Sequence, residues 1–486
     1  MLLALLGVTA SAPGAQAQAP TDSTIQRRID RVVRALLVET PLTGRYSTAT
    51  LMQRMRYYHT PGVSIAVINR SRLEWARGFG VREAGAGDSV TDRTLFQAAS
   101  ISKPIFAMAV MRLAQERRLD LAQDVNTYLQ SWKVPPSEGW QPLVTLRQLL
   151  SHSAGMTVHG FPGYLRSETL PTLLQALDGE GPANTPPVRV NLLPGTQLRY
   201  SGGGTAVAQQ LVVDVLGRPF PEIMRDVVLQ PVGMANSTYQ QPLPDSLARY
   251  AATAHPWKAR PVEGKWHVYP EMAAAGLWTT ASDLARAGIE MQRALTGDTS
   301  RLLSPEIAQE MLTPQPALQG QIGLGFFLEG EGDSTRFHHS GWNEGFVARM
   351  TVYRKGGYGA VVMMNSNEGA DMLSEIMRAI AREYEWPGYV EERPPSRALP
   401  ASVLRRYLGR YASAAGLRFL VREEAGTLLL SHGRGRPAAL APVAPDSFAM
   451  PALNATVSFT ADKRRRITAL LLEQEGSTIV AKREGP

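Results

Sequence analysis

Ser100 and Lys103 stand three residues apart in QAASISKPIF, residues 97–106, and the pairing of a hydroxyl with an amine is where chemistry could begin. The chain holds 51 Lys plus Arg, and only seven of these are lysine. Positive charge is therefore normally written as Arg, which keeps its proton in proteins, whereas a desolvated Lys can approach neutrality and act as a base. Apolar residues at Ile101, Ile105, Met108, Ala109 and Leu113 predict a helix from Ser100 to about Arg117. Pro104 fits only if that helix starts close to Ser100, because a first turn does not need the missing N–H. Residues three apart then share a face, so the Lys103 amine can reach the Ser100 hydroxyl. A helix N-terminus also offers N–H donors and partial positive charge to an oxyanion. The plain alternative is an N-cap serine with a first-turn lysine, but a lysine there opposes the helix dipole.

A serine nucleophile needs a second proton-handling group and oxyanion donors. LLPGTQLRYSGGGTAVAQQL, residues 192–211, places Tyr200 on a Gly-rich turn before a helix. Packing is the ordinary role of such a tyrosine, yet glycines let backbone approach a substrate and a nearby cation favours phenolate. RFHHSGWNEGF, residues 336–346, puts His339, Ser340 and Gly341 at the end of a strand, where a glycine lets a substrate pair along the edge. His338 and His339 would point to opposite faces of that strand, which argues against a metal site. His152, between Ser151 and Ser153, reads as a helix end and turn rather than a Ser–His pair. Gly85-Ala86-Gly87 reads as a hairpin tip. No G-x-S-x-G elbow, H-E-x-x-H or P-loop occurs, so no metal and no cofactor are expected.

The elements that must position these residues follow from periodicity. Residues 23–38 have helical spacing at Ile25, Ile29, Val32, Val33 and Leu36. PGVSIAVINRSRLEWARGFG, residues 61–80, reads as a hairpin turning at Asn69-Arg70-Ser71. Residues 118–330 are mostly helical pieces between Pro- and Gly-containing loops, strands return over 336–365, and 371–385 is another amphipathic helix. Strands that bracket a helical middle favour an α+β fold, an antiparallel sheet flanked by helices, over βαβ units. A Pro-rich linker occupies 387–400, and alternating apolar residues over 401–486 predict a small all-β, barrel-like domain.

The first residues, MLLALLGVTASAPGAQAQAP, are an apolar run followed by small residues, and Ala15-Gln16-Ala17 fits a signal-peptidase site. Residues 1–19 are thus expected to be a signal peptide, although the first basic residue is Arg27, and the product would be exported to the periplasm or secreted with no transmembrane anchor. The catalytic domain would span 23–386. Absence of cysteine excludes disulfides, thiol catalysis and Cys-based zinc sites. A net charge of +8 could attract an acidic partner, but the arginines are spread out and the run Lys463-Arg464-Arg465-Arg466 reads as a solvated hairpin turn. Nucleic acid is not an expected partner.

AASISKP (98–104), the Tyr200-Ser201-Gly202 turn and His339-Ser340-Gly341, in that order, resemble the three motifs of the serine β-lactamase and penicillin-binding-protein-like hydrolases. The class C-related branch, with S-x-x-K, Y-x-N and K/H-x-G, is closest. LLSHSAGM, LQPVGMANSTY and AAAGLWTTASDLARA resemble its connecting segments, and the likeness covers roughly 25–385. It implies a β-lactamase-like fold in which Ser100 is the acyl-accepting nucleophile, Lys103 shares its proton or keeps Tyr200 anionic, and Tyr200 is the general base. It also implies an oxyanion hole from the N–H groups of Ser100 and Trp342. Gly202 stands where many relatives have a substrate-binding Asn, and His339 where β-lactamases have a carboxylate-binding Lys. Both departures favour an esterase, amidase or D-amino-acid peptidase acting on a small molecule or peptide. The rival is a non-catalytic protein of the same fold that senses peptidoglycan fragments or β-lactams. The segment after 400 resembles the lipocalin-like barrels appended to some relatives, which could cover the active-site mouth or mediate homo-oligomers. Loops near 156–190 and 241–268 are expected to shape the pocket.

Overall fold

A computed structural model of the protein describes residues 21–40, 45–137, 139–315, 322–390, 399–413, 416–424, 426–432, 437–450, 455–474 and 477–485. The expected signal peptide lies outside these residues, as does most of the expected linker. The hairpin forms as read: β1 (Gly62–Asn69) pairs with β2 (Arg72–Gly80), and Arg70 and Ser71 both take positive φ, the twist a two-residue hairpin turn requires. β3 (Phe327–Glu329), β4 (Arg336–Asn343), β5 (Phe346–Tyr353) and β6 (Gly359–Met364) complete a six-stranded antiparallel sheet in the order β2-β1-β6-β5-β4-β3.

Alternation along these strands divides two cores. Ala66, Ile68, Val361, Met363, Met350 and Val352 face the helical middle region, including α4 (Ala281–Thr296). Gly288 brings α4 so close that a Cβ there would lie 2.7 Å from Val352 Cγ2. Val63, Ile65, Val67, Ala360 and Val362 face the other way, onto α1 (Asp22–Arg34) and α5 (Ala370–Glu383). A sheet buried on both faces explains why β1 and β6 read as continuous apolar runs. The helical middle supplies α2 (Ser102–Gln115) and α3 (Gly202–Leu216).

Three expectations need correction. The first helix stops at Arg34 and Leu36 opens a short strand, Leu36–Thr40, because LLVET finds a pairing partner in Arg45–Ala49. The nucleophile helix starts as a tight turn, Ala99–Ile101, before α2. The expected linker, from 387, begins as docked chain rather than free linker, with the Gly388 carbonyl accepting from Arg336 Nη1 at 3.3 Å. Trp386 is buried against Tyr353, and the Tyr353 hydroxyl donates to the Pro387 carbonyl at 2.7 Å.

Beyond residue 400 eight strands form a closed barrel in chain order: β7 (Gly409–Ser413), β8 (Arg418–Glu424), β9 (Thr427–His432), β10 (Ala438–Ala444), β11 (Ser447–Met450), β12 (Ala455–Ala461), β13 (Ile467–Gln474) and β14 (Ser477–Glu484). β7 pairs with both β8 and β14, so no edge is left open. Tyr407, Tyr411, Phe448 and Phe459 fill the interior, with ring centroids 4.8–5.8 Å apart. Lys463–Arg466 sits in the turn between β12 and β13, where Asp462 accepts from the Arg464 and Arg466 N–H groups.

On the α5 side, Arg54 donates to both Glu375 oxygens at 2.7 and 2.5 Å and the Tyr58 hydroxyl donates to the same carboxylate at 2.9 Å. Breaking a buried pair on one side leaves an unpaired charge. Glu375→Ala is expected to lower stability by about 3–5 kcal/mol, read as a lower urea midpoint in equilibrium unfolding.

Candidate active site

The turn that carries Ser100 is held from several directions. The Ala98 N–H donates to the Leu277 carbonyl at 2.9 Å. Leu277 N–H in turn donates to Ser102 Oγ at 3.0 Å, and that hydroxyl donates to the Ala99 carbonyl at 2.5 Å. Ala99 is pinned at φ 50°, a left-handed conformation that a non-glycine residue adopts only under constraint. The result turns Ser100 out of the helix axis while Lys103 stays in its first turn. Lys103 is buried, and its Nζ donates to Ser100 Oγ at 2.9 Å and to the Ala274 carbonyl at 2.8 Å.

Tyr200 lies against this pair, with the Lys103 ammonium nitrogen 5.0 Å from its ring centroid. The glycines after it are not a turn but the first turn of α3, capped by Ser201 Oγ, which accepts from the Gly204 N–H at 2.9 Å. They are small because residues 157–160 cross that helix end. Gly202 and Gly203 N–H groups donate to the His159 and Val158 carbonyls at 3.0 Å each. A Cβ on Gly202 would lie 3.1 Å from Phe161 and 3.2 Å from the His159 carbonyl. Gly202 is therefore placed behind this strap and does not line the cavity.

His339 faces the same interior from β4. Its Nδ1 donates to the Ser340 carbonyl at 2.7 Å, which leaves Nε2 without a proton. Burial, then the nearby Lys103 charge, pushes its pKa down to about 3, so it is neutral and cannot serve as a fixed carboxylate-binding cation. His152 is buried under Tyr200 at a centroid separation of 4.3 Å and accepts the Ser201 N–H on Nδ1 at 3.3 Å. It makes no bond to its neighbouring serines: Ser151 and Ser153 bond each other. Burial and Lys103 also hold it well below the ordinary imidazole range. Among the described residues no cluster of three or more His or acidic groups could hold a metal ion.

β4 brings the last motif to the nucleophile. β3 covers it only as far as His338, so from Ser340 onward its outer edge has no strand partner among the described residues. Gly341 lies against the nucleophile turn, where a Cβ would fall 2.1 Å from the Ala98 carbonyl oxygen. Asn343 Nδ2 donates to Gln97 Oε1 at 2.8 Å and to the Ala275 carbonyl at 3.1 Å, tying the strand to the nucleophile segment and to the helical turn that carries the lysine acceptor. Sequence reasoning passed over Gln97, Ser102, Ala274 and Asn343, because each acts through contacts with segments distant in sequence that no spacing rule reports.

These residues open onto a cavity of about 1170 Å³. Ser100, Lys103, Tyr200, Ser340, Gly341 and Trp342 line it, His339 does not, and the 156–190 loop contributes His159 to Pro162. The 241–268 loop contributes nothing to its wall, whereas Arg199, Arg349 and residues of the barrel do.

A family model described as Beta-lactamase matches residues 48–384. Esterase EstB from Burkholderia gladioli is 27% identical over 226 residues, 44% of this chain and 55% of that protein. The chain spans 55–60% of the length of the curated relatives it matches first. The octameric penicillin-binding protein homologue from Pyrococcus abyssi superposes with a TM-score of 0.56 at 21% identity, over 88% of this chain and 98% of that one. D-alanine carboxypeptidase AmpC from Burkholderia cenocepacia gives 0.55 at 18% identity, over 74% and 99%. At these identities the two structures establish a shared fold.

Two outcomes follow. Gly341→Ala must push the strand or the nucleophile turn apart, and since about 1 Å of misplacement can cost about 100-fold, the rate at which a fluorophosphonate labels Ser100 is expected to fall by about that factor. Stability should also respond to acid through the buried imidazoles. His338 and His339 both titrate near 3 in the folded chain, chiefly through burial, and near 6.5 when unfolded. As pH falls below 6.5 the unfolded chain takes up protons first, so stability is full above 6.5 and declines toward pH 3. Each such group contributes about 1.4 kcal/mol per pH unit in that window. Thermal melts from pH 7 to 4.5 should show a steady fall, and His338→Asn a shallower one.

Proposed function

Because the chain belongs to the Beta-lactamase family, we propose that it is a serine hydrolase acting through an acyl-serine intermediate on esters, amides or D-amino-acid peptides. The observation that carries this reading is the buried Lys103 amine 2.9 Å from Ser100 Oγ, on a constrained turn that opens into a large cavity. A structural lysine has no reason to be buried against a serine at a cavity wall. EstB, named an esterase, and the carboxypeptidase fold relative support acyl transfer as the reaction class.

In this mechanism Ser100 Oγ attacks the carbonyl carbon while its proton passes to the Tyr200–Lys103 pair. Lys103, anchored to the Ala274 carbonyl, supplies the positive charge a Tyr200 phenolate would need. The backbone N–H groups of Ser100 and Trp342 hold the oxyanion, each donor being worth roughly 3 kcal/mol in the transition state. The proton then goes to the departing alcohol or amine, and water repeats the sequence on the acyl-serine. The free edge of β4 receives the substrate backbone. Neutral His339 offers no ionic capture of a substrate carboxylate, which favours esters and neutral amides over β-lactams. The chain is read as an exported enzyme, and the octameric fold relative supports a homo-oligomer.

Intact-mass spectrometry after separate treatment with a fluorophosphonate and a penicillin tests this. An adduct is expected on Ser100 with the fluorophosphonate and none in Ser100→Ala. Lys103→Arg keeps the charge but cannot give up its proton, and ester turnover should fall on the order of a thousandfold. No adduct on folded protein would favour a non-catalytic sensor.

A further inference from the structure

The cavity is larger than a small acyl group requires, and it does not end at the catalytic residues. Pockets for small ligands commonly span about 300–1,000 Å³, against about 1170 Å³ here. Its course follows from strand alternation. Gly341 and Asn343 belong to the face of β4 that meets the nucleophile turn, whereas Ser340 and Trp342 belong to the opposite face, across from Arg349 and Val347 on β5. All of these residues line one cavity. The space therefore begins at Ser100, passes over the uncovered edge of β4 and continues on the far side of the sheet.

That second lobe is lined mainly by apolar side chains, with Ser340, Arg349, Ser374 and Thr478 among them, and has the barrel for its outer wall. Trp342, 55% exposed, stands where the two lobes join. Val347 and Leu373 form the floor, and Leu417, Leu472 and Ile479 close the lobe from the barrel. The three barrel residues are not outward-facing side chains. Leu472 pairs with Ile479, one alternation beyond the Leu470–Ala481 pair whose side chains lie fully inside the barrel, and Leu417 precedes inward-facing Phe419 by two. They are the rim of the barrel interior, whose centre is already filled by aromatic rings. Thr478, the exposed neighbour of Ile479 on β14, also touches the cavity, so the barrel presents a largely apolar end with one hydroxyl at its margin. Among the described residues, the charged side chains in the lining are Lys103, Arg199 and Arg349, with no Asp or Glu.

Resting on the hydrolase reading, we propose that this barrel-walled lobe is an acyl-chain subsite: the enzyme takes acyl donors with an extended apolar, uncharged or anionic acyl group, and Leu417, Leu472 and Ile479 set its length preference. The acyl group is assigned to the lobe because it stays on Ser100 through the intermediate, whereas the leaving group must escape. A walled compartment suits the part that stays.

Full-length protein is assayed with p-nitrophenyl acetate, butyrate, hexanoate and octanoate. In the wild type kcat/KM is expected to rise with chain length by about tenfold or more, in line with burial of successive methylenes. In Ile479→Asp and in Leu417→Asp the octanoate-to-acetate ratio of kcat/KM should fall roughly tenfold. Val480→Asp, on the outside of the same strand and 51% exposed, should leave the ratio at the wild-type value. Turnover of all four esters with no length dependence, or an equal fall in the Val480 variant, overturns the subsite alone. No turnover of any ester together with no fluorophosphonate adduct on Ser100 overturns the hydrolase reading, and the subsite with it.

Discussion

The burial of one amine organises this molecule. Lys103 is 4% exposed, and an ammonium out of water is costly unless its hydrogens are bonded. Ser100 Oγ and the Ala274 carbonyl satisfy two of them, so the nucleophile helix and the short helical turn at Met272–Ala275 must keep fixed relative positions. The same charge acts on its neighbours. It adds to burial in holding His152 and His339 neutral, so the rings packed around Tyr200 carry no charge of their own.

Backbone proximity is the second constraint, and it follows from the first. A nucleophile seated beside a buried lysine can meet substrate only from the strand side, so β4 has to run against the nucleophile turn. Gly341 permits this contact, and Asn343 locks it to Gln97 and Ala275. Strain at Ala99 is maintained because Ser102 and Leu277 hold the turn from opposite sides. Such a site is positioned chiefly by polar side chains bonded to main-chain groups.

The barrel changes what the sheet edge can do. In isolation the free edge of β4 would face solvent from Ser340 onward; here the space beyond it is roofed by one end of a closed eight-stranded barrel. The sheet then contributes to the cavity with both faces, since period-two alternation sends adjacent residues of one strand to its two lobes.

Much of this was legible in the residues themselves. The S-x-x-K spacing, the rarity of lysine, the hairpin at 61–80, the two apolar faces of the sheet strands and the alternating pattern after residue 400 are local signals, and local physics makes them real: helical and extended periods are properties of neighbouring residues. What only the tertiary structure decided were contacts between segments distant in sequence. His339 looked like a partly charged substrate ligand and is a buried neutral ring, because desolvation depends on what packs around it. Gly202 looked like a vacated binding position and is a glycine because residues 159–161 cross above it. The 241–268 loop looked like a pocket wall, yet Leu417, Leu472 and Ile479 hold that place. Burial and backbone approach depend on the packing of the whole chain, and no spacing within a motif encodes them.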